Sequence, residues 1–311
     1  MKVVITARNF AFEGCTATAL LQENGFAVYD FSDREARNGA AYLQALREAD
    51  AVINGFEPMD AALLSQCERL RLISVRGVGY DYLDLSACAA QHIAIARTVG
   101  CVGDAVAEQA MAYILYFARQ VHTLNAFMQQ GEWNRIMTEG AAGKTLGIIG
   151  FGEIGRALAK RAAAFGMRVL YHCRTPKTEL PYTFAPLDTV LAESDYVALA
   201  LPLTDETRHL LDAAALAKMK PGAVLINVAR AGIVDSEALR EAVESGRLRG
   251  AAVDVFESEP CTDSVLKGVE GIILTPHTAP FTKSNFIRMN DRAARNVIDF
   301  FRGEIDKKYL V

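Results

Sequence analysis

Short apolar runs, separated by stretches of helical composition, recur along the whole chain. In the first third they fall at residues 2–7, 26–31, 51–56, 70–75 and 93–96; later they fall at 145–149, 168–171, 196–201, 223–228, 250–255 and 272–275. Runs of this kind, apolar without strict alternation, suit strands covered on both faces. The stretches between them suit crossover helices, so each series reads as parallel βαβ units. A stretch at 104–128, rich in Ala, Leu, Met and Gln, separates the two series and predicts one long helix with Asp104 as its N-cap. A looser connector follows from Gly131 to Lys144. Further helices are expected at 156–165, 213–219 and 236–245, and a last one at about 283–301. Gly25 is placed to end the helix before the second run, where a left-handed residue is favoured. The pattern predicts an α/β protein with two doubly wound parallel sheets.

Composition narrows the classes of function. The chain has 311 residues, 51% of them hydrophobic and 23% charged, a length that favours two domains. The net charge is −4 with acids and bases interspersed, so no nucleic-acid or membrane partner is expected. Six cysteines, at 15, 67, 88, 101, 173 and 261, form no C-x-x-C pair and no cluster with histidine. They lack zinc and redox-motif spacing, and no metal site is expected. The first residues read as a strand and not as an export signal, and no apolar run is long enough to span a bilayer. With reduced thiols, that reading points to the cytoplasm.

The candidate chemistry begins after the run at 145–149, where the sequence continues Gly150-Phe-Gly152-Glu153-Ile154-Gly155 into an alanine-rich stretch. A lone Gly-x-Gly-x-x-Gly is weak evidence, but a preceding strand and a following helix are its required context. Gly150 permits the tight turn, Gly152 lets the backbone approach a pyrophosphate, and Gly155 lets helix and strand pack closely. The helix N-terminus, with Glu153 and Ile154 in its first turn, offers N–H groups and a positive dipole end to phosphates. The pattern therefore predicts a dinucleotide site. An NAD site usually has Asp or Glu at the end of the next strand to accept from the ribose hydroxyls. Here that end is Cys173, followed by Arg174 and Thr175. A guanidinium pairs with a 2′-phosphate that a carboxylate would repel, so NAD(P) is expected with NADP(H) slightly favoured. The alternative is an Arg174 that merely stacks on adenine in a dual or NAD-preferring site.

Three polar residues follow strands of the second series: Arg230 in Asn-Val-Ala-Arg, Glu259 in Glu-Ser-Glu-Pro, and His277 in Thr-Pro-His. In open α/β sheets ligands bind outside the carboxyl ends of strands, where these residues fall. They are also the groups that hydride transfer to a 2-oxo acid requires. An arginine binds the carboxylate and polarises the carbonyl, a histidine gives a proton, and a carboxylate favours the charged imidazole.

These segments, with Arg76-Gly-Val-Gly-Tyr-Asp81-Tyr-Leu-Asp84, Val106-Ala-Glu108, Gly131-Glu-Trp133 and Leu201-Pro-Leu-Thr-Asp-Glu-Thr207, resemble the D-isomer-specific 2-hydroxyacid dehydrogenase family. The likeness covers nearly the whole chain and is greatest to the 3-phosphoglycerate dehydrogenase and glyoxylate/hydroxypyruvate reductase branches. It implies a flavodoxin-like substrate domain of residues 1–100 and 282–311, and a Rossmann cofactor domain of residues 101–281. The active site would lie in the cleft between them. It further implies catalytic roles for Arg230, His277 and Glu259, and places Asp254 near the nicotinamide amide. Pro202, Thr207 and Ala229 would line the cofactor cleft, and the backbone around Arg76, Gly77 and Val78 would hold the substrate carboxylate. Arg8, after the first strand, is a weaker substrate-pocket candidate, suited to a phosphorylated acid. Ala231, Tyr82, Gln109 and Thr278-Ala279-Pro280 depart from the family's usual residues and bear on substrate shape. The expected partner is a small 2-hydroxy or 2-oxo acid. A homodimer is implied as well, with Trp133 either serving the interface or filling the core under a loop. A nucleotide-sensing binding protein and a formate dehydrogenase are the alternatives on the same fold.

Overall fold

The runs of the first third form one parallel sheet: β1 (Lys2–Ile5), β2 (Ala27–Asp30), β3 (Ala51–Asn54), β4 (Leu72–Val75) and β5 (Ala94–Arg97). Their order is β2-β1-β3-β4-β5, the flavodoxin-like arrangement. The computed structural model describes residues 1–33, 35–177 and 179–311. In it the chain divides into two units, Met1–Val102 with Phe281–Val311, and Gly103–Pro280.

Strand periodicity sorts the core of the first unit. Val3, Ile5, Ile53 and Leu72 join one apolar cluster, while Val4, Val52, Ile73 and Val75 join another, as residues on opposite faces must. The first cluster is completed by Ala293, Ala294, Val297 and Ile298 of the C-terminal helix, Lys283–Arg302. Thr282 caps that helix through Asn285 N–H, and Gly303 ends it at φ +76°. Polar side chains fix its place. Asn290 Nδ2 donates to the Phe10 carbonyl at 3.0 Å, Asn296 Nδ2 to the Arg97 carbonyl at 3.0 Å, and Ser74 Oγ to the Ala293 carbonyl at 2.9 Å. Both asparagines are wholly buried, so losing a partner would leave an unsatisfied amide.

The second unit holds β6 (Thr145–Ile149), β7 (Arg168–His172), β8 (Thr183–Phe184), β9 (Tyr196–Leu199), β10 (Val224–Asn227), β11 (Gly250–Val253) and β12 (Ile272–Leu274). They pair in parallel in the order β12-β11-β10-β9-β6-β7-β8, and every residue of β6, β9, β10 and β11 is buried. The order reverses between β6 and β9, the kind of crevice where such sheets take ligands. Strand β8 was not expected; its two residues are exposed and too few to show a period. The helix Leu187–Glu193 was also missing from the expected set.

The stretch at 104–128 differs from the expected single helix. It forms two, Gly103–Arg119 and Val121–Gln129, broken at Gln120 with φ 47°. Gln is a good helix former, so composition carries no sign of the break. Across it the His122 ring stacks on Tyr116, with centroids 3.7 Å apart. Asp104 lies inside the first turn and pairs with Arg161 at 3.0 Å instead of capping; Glu153 Oε1 accepts the Gly103 N–H at 2.9 Å. Nor does Trp133 fill a core: it is 73% exposed, and nearby Met137 is 97% exposed. Among the described residues no helix is long and apolar enough to cross a membrane.

Candidate active site

The glycine turn follows β6 directly. Gly150 has φ +95°, and a Cβ there would stand 2.3 Å from the Ala200 carbonyl oxygen. A Cβ on Gly155 would stand 2.3 Å from the Gly150 carbonyl oxygen, so turn, helix and neighbouring strand approach as only glycine allows. Gly152 is the N-cap of the helix Glu153–Ala164, and a Cβ on it would meet nothing within 4 Å. Open space therefore lies in front of a helix N-terminus, a cradle suited to phosphate. Ile154 is half-buried in the first turn, and the Glu153 carboxylate is engaged by Gly103 N–H.

At the end of β7, Cys173 Sγ donates to the Thr175 carbonyl at 3.0 Å and closes a turn that leaves Arg174 and Thr175 exposed. Glu206 lies within the field of Arg174. Its carboxyl is held below the ordinary value, first by the Thr204 hydroxyl and in smaller part by Arg174. In the same loop Thr207 Oγ1 donates to the Pro202 carbonyl at 2.8 Å, folding the exposed segment after β9 back on itself.

Asn227, the last residue of β10, sets the next turn. Its Nδ2 donates to the Arg230 carbonyl at 3.0 Å, and its Oδ1 accepts Ala229 N–H at 3.1 Å. Ala229 is buried and Arg230 half-buried, with Nη1 on the Ala229 carbonyl at 2.9 Å. Beyond β11, Glu259 Oε1 accepts Phe256 N–H at 3.0 Å, and its Oε2 lies 2.7 Å from His277 Nδ1. Burial alone would raise the Glu259 carboxyl. The His277 hydrogen bond and charge, Phe256 N–H and the Arg230 charge outweigh it and hold the group below the ordinary value. Three residues from separate strand ends thus act on one another within one unit. His277 follows β12 with φ +51°, a value side chains other than glycine rarely adopt.

Asp254, at the end of β11, has no exposed surface. It accepts from Thr275 Oγ1, Thr278 N–H and Ala279 N–H, which brings the loop around His277 onto one carboxylate. Asn227 and Thr275 were not singled out from the sequence, although each is a polar residue at or near the end of an apolar run.

The remaining candidates belong to the first unit. Arg76 is 3% exposed; Nη1 donates to the Arg8 carbonyl and lies 3.5 Å from Asn290 Oδ1, and the guanidinium sits over the Phe286 ring. Burial pulls it down to about 10, with Glu57 opposing. The Gly77 carbonyl accepts Thr98 N–H at 2.9 Å, and Val78 is half-buried. Arg8 meets Arg76 through its carbonyl and is itself exposed.

The chain is similar to known proteins over most of its length. Residues 111–279 match the family model described as "D-isomer specific 2-hydroxyacid dehydrogenase, NAD binding domain". The chain is 36% identical over 309 residues to a glyoxylate reductase of Thermococcus litoralis, covering 93% of each protein. Among solved structures, the TT0316 protein of Thermus thermophilus is 34% identical with a TM-score of 0.88, and each chain is covered completely. D-Lactate dehydrogenase of Aquifex aeolicus, complexed with NAD and lactic acid, is 26% identical with a TM-score of 0.88, covering 100% of this chain and 99% of the other.

Proposed function

The chain belongs to the D-isomer-specific 2-hydroxyacid dehydrogenase family and is an NAD(P)-dependent oxidoreductase of 2-hydroxy and 2-oxo acids; on that premise we propose that it reduces a small 2-oxo acid of the glyoxylate or hydroxypyruvate type. The glyoxylate reductase relatives support the choice of acid. The contact that carries the reading is His277 Nδ1 against Glu259 Oε2 at 2.7 Å, with the Arg230 charge acting on the same carboxylate.

In this reading Arg230 binds the substrate carboxylate and draws charge toward the carbonyl oxygen. His277 gives its proton to that oxygen, and Glu259 orients the imidazole. When bound, the nicotinamide supplies the hydride. The open space before Gly152 and the helix N-terminus at Glu153 and Ile154 would hold the pyrophosphate. Cys173, Arg174 and Thr175 would face the adenosine ribose, with Pro202, Thr207 and Ala229 along the cofactor and Asp254 in the frame at its nicotinamide end. Arg174, with no carboxylate at Cys173, supports NADP(H) as the slightly favoured cofactor.

Met1–Val102 with Phe281–Val311 is then the substrate unit, and Gly103–Pro280 the cofactor unit. Backbone groups at Arg76, Gly77 and Val78 would take the acid's carboxylate, and Arg8 is a second cation for an acid with a further anionic group. Val121, Met128, Trp133 and Met137 are all exposed, which supports a twofold homodimer through this stretch.

A panel of glyoxylate, hydroxypyruvate and phosphohydroxypyruvate with NADPH and NADH tests the substrate, and His277→Ala tests the site. His277→Ala lowers kcat by about 10²–10⁴ and leaves dinucleotide affinity nearly unchanged. An undiminished kcat removes His277 from the reaction.

A further inference from the structure

The loop that presents His277 is held at both ends by the Asp254 carboxylate. Thr275 Oγ1 donates to Oδ1 at 2.5 Å, Thr278 N–H to the same oxygen at 2.9 Å, and Ala279 N–H to Oδ2 at 2.8 Å. Between those points His277 N–H donates to the Thr275 carbonyl at 2.9 Å, and His277 itself sits at φ +51°. Such a backbone persists only where its surroundings over-determine it. The flanking contacts are therefore what aim the imidazole at Glu259.

The hydrogen-bond inventory gives this arrangement a direction. A threonine hydroxyl has one hydrogen, and Thr275 gives it to Asp254. Tyr113 OH lies 2.5 Å from Thr275 Oγ1, so Tyr113 is the donor in that contact. Tyr113 is 4% exposed on the helix Gly103–Arg119, and its hydroxyl is also 3.5 Å from Asp254 Oδ1. Gln109, one turn earlier, hydrogen-bonds the same phenol. Burial pushes the phenol above its ordinary value, so it keeps the proton it donates. The order of donation runs Tyr113 to Thr275 to Asp254, from a helix outside the strand ends to the loop of the proton donor.

We infer that Tyr113 is a positioning residue for the reaction, holding the 275–279 loop through Thr275 and Asp254 so that His277 stays against Glu259. The inference rests on the reading of His277 as proton donor. Removing the phenol oxygen leaves Thr275 without its donor and loosens the loop, with no group lost from the dinucleotide cradle.

The test uses the full chain, with glyoxylate and NADPH as probes. Tyr113→Phe lowers kcat about tenfold, the effect of one lost hydrogen bond, while the KM for NADPH stays within about twofold. Thr275→Val lowers kcat at least as far, and Thr275→Ser, which keeps the hydroxyl, recovers most of that loss. In a His277→Ala background Tyr113→Phe has no further effect, because the two act through one imidazole. Should Tyr113→Phe fail to fold, the Thr275→Val and Thr275→Ser pair reads the same link. An unchanged kcat in Tyr113→Phe, or an equal loss from it in the His277→Ala background, overturns the inference. If His277→Ala alone leaves the rate intact, the proton-donor reading falls and takes the inference with it; if His277→Ala is impaired and Tyr113→Phe is not, only the inference falls.

Discussion

Replacing Gly152 by alanine separates dinucleotide binding from the stability of the fold, because the glycines of the turn are there for different reasons. Gly152 has φ −80°, which any residue adopts, and an added Cβ meets nothing within 4 Å. Alanine is a poorer N-cap than glycine, at a cost of about 0.5–1 kcal/mol. The stiffer unfolded chain offsets this by about 0.4–1 kcal/mol, so net stability hardly moves. The new methyl stands instead before the helix N-terminus, where the pyrophosphate would approach. Losing one charge-assisted hydrogen bond there costs about 1.5–3 kcal/mol, or roughly ten- to hundredfold in Kd. Gly150→Ala behaves in the opposite way. At φ +95°, with the Ala200 carbonyl oxygen 2.3 Å and its carbon 2.5 Å from the added Cβ, only backbone movement makes room. Left-handed strain of about 1–2 kcal/mol and overpacking of about 1–3 kcal/mol together lower stability by about 2–5 kcal/mol. Calorimetric titration with NADPH and NADH gives Kd, and urea unfolding gives stability. A Gly152→Ala protein that binds both dinucleotides as tightly as the wild type refutes the reasoning about the cradle. A Gly150→Ala protein as stable as the wild type refutes the steric argument.

Arg174→Ala lowers kcat/KM for NADPH by about tenfold and changes the NADH value little, since only the phosphate loses a partner; a wild-type enzyme tenfold better with NADH contradicts this. Glu259 has a depressed folded value, so its contribution to stability is present above the unfolded carboxylate range and is lost as pH falls through the lower folded value. The urea midpoints of wild type and Glu259→Gln therefore converge as pH falls below the unfolded carboxylate value of about 4.3, and a gap that stays constant as the solution is acidified is the contrary result. Met137→Asp and Trp133→Asp shift the sedimenting species from dimer to monomer, whereas a wild-type chain already monomeric at micromolar concentration removes the proposed interface.

Much of the architecture is local and was legible. An apolar run bounded by turn residues makes a strand wherever it stands, so the runs at 145–149, 223–228 and 250–255 became β6, β10 and β11 with small changes at their ends. The glycine turn was legible for the same reason, since the need for positive φ and close approach lies within six residues. The break at Gln120 was not, because a helix-favouring residue stands at it and composition records nothing of the Tyr116–His122 stack across it.

Arg230, Glu259 and His277 could be placed at strand ends from the sequence, and their likeness to a known family suggested that they work together. The 2.7 Å contact between Glu259 and His277 and the burial of Asp254 beneath the same loop depend on how β10, β11 and β12 lie side by side. Tyr113 had no signal at all: it lies 162 residues before Thr275, inside an ordinary helical stretch. Nor could the sequence show where the Arg76 guanidinium goes, packed on Phe286 and the Arg8 carbonyl. Backbone preference acts over a few residues, and the sequence alone determined what those preferences govern. Which hydroxyl meets which carboxylate is decided by packing across the whole sheet, where each partner is chosen by the space left after all the others are seated.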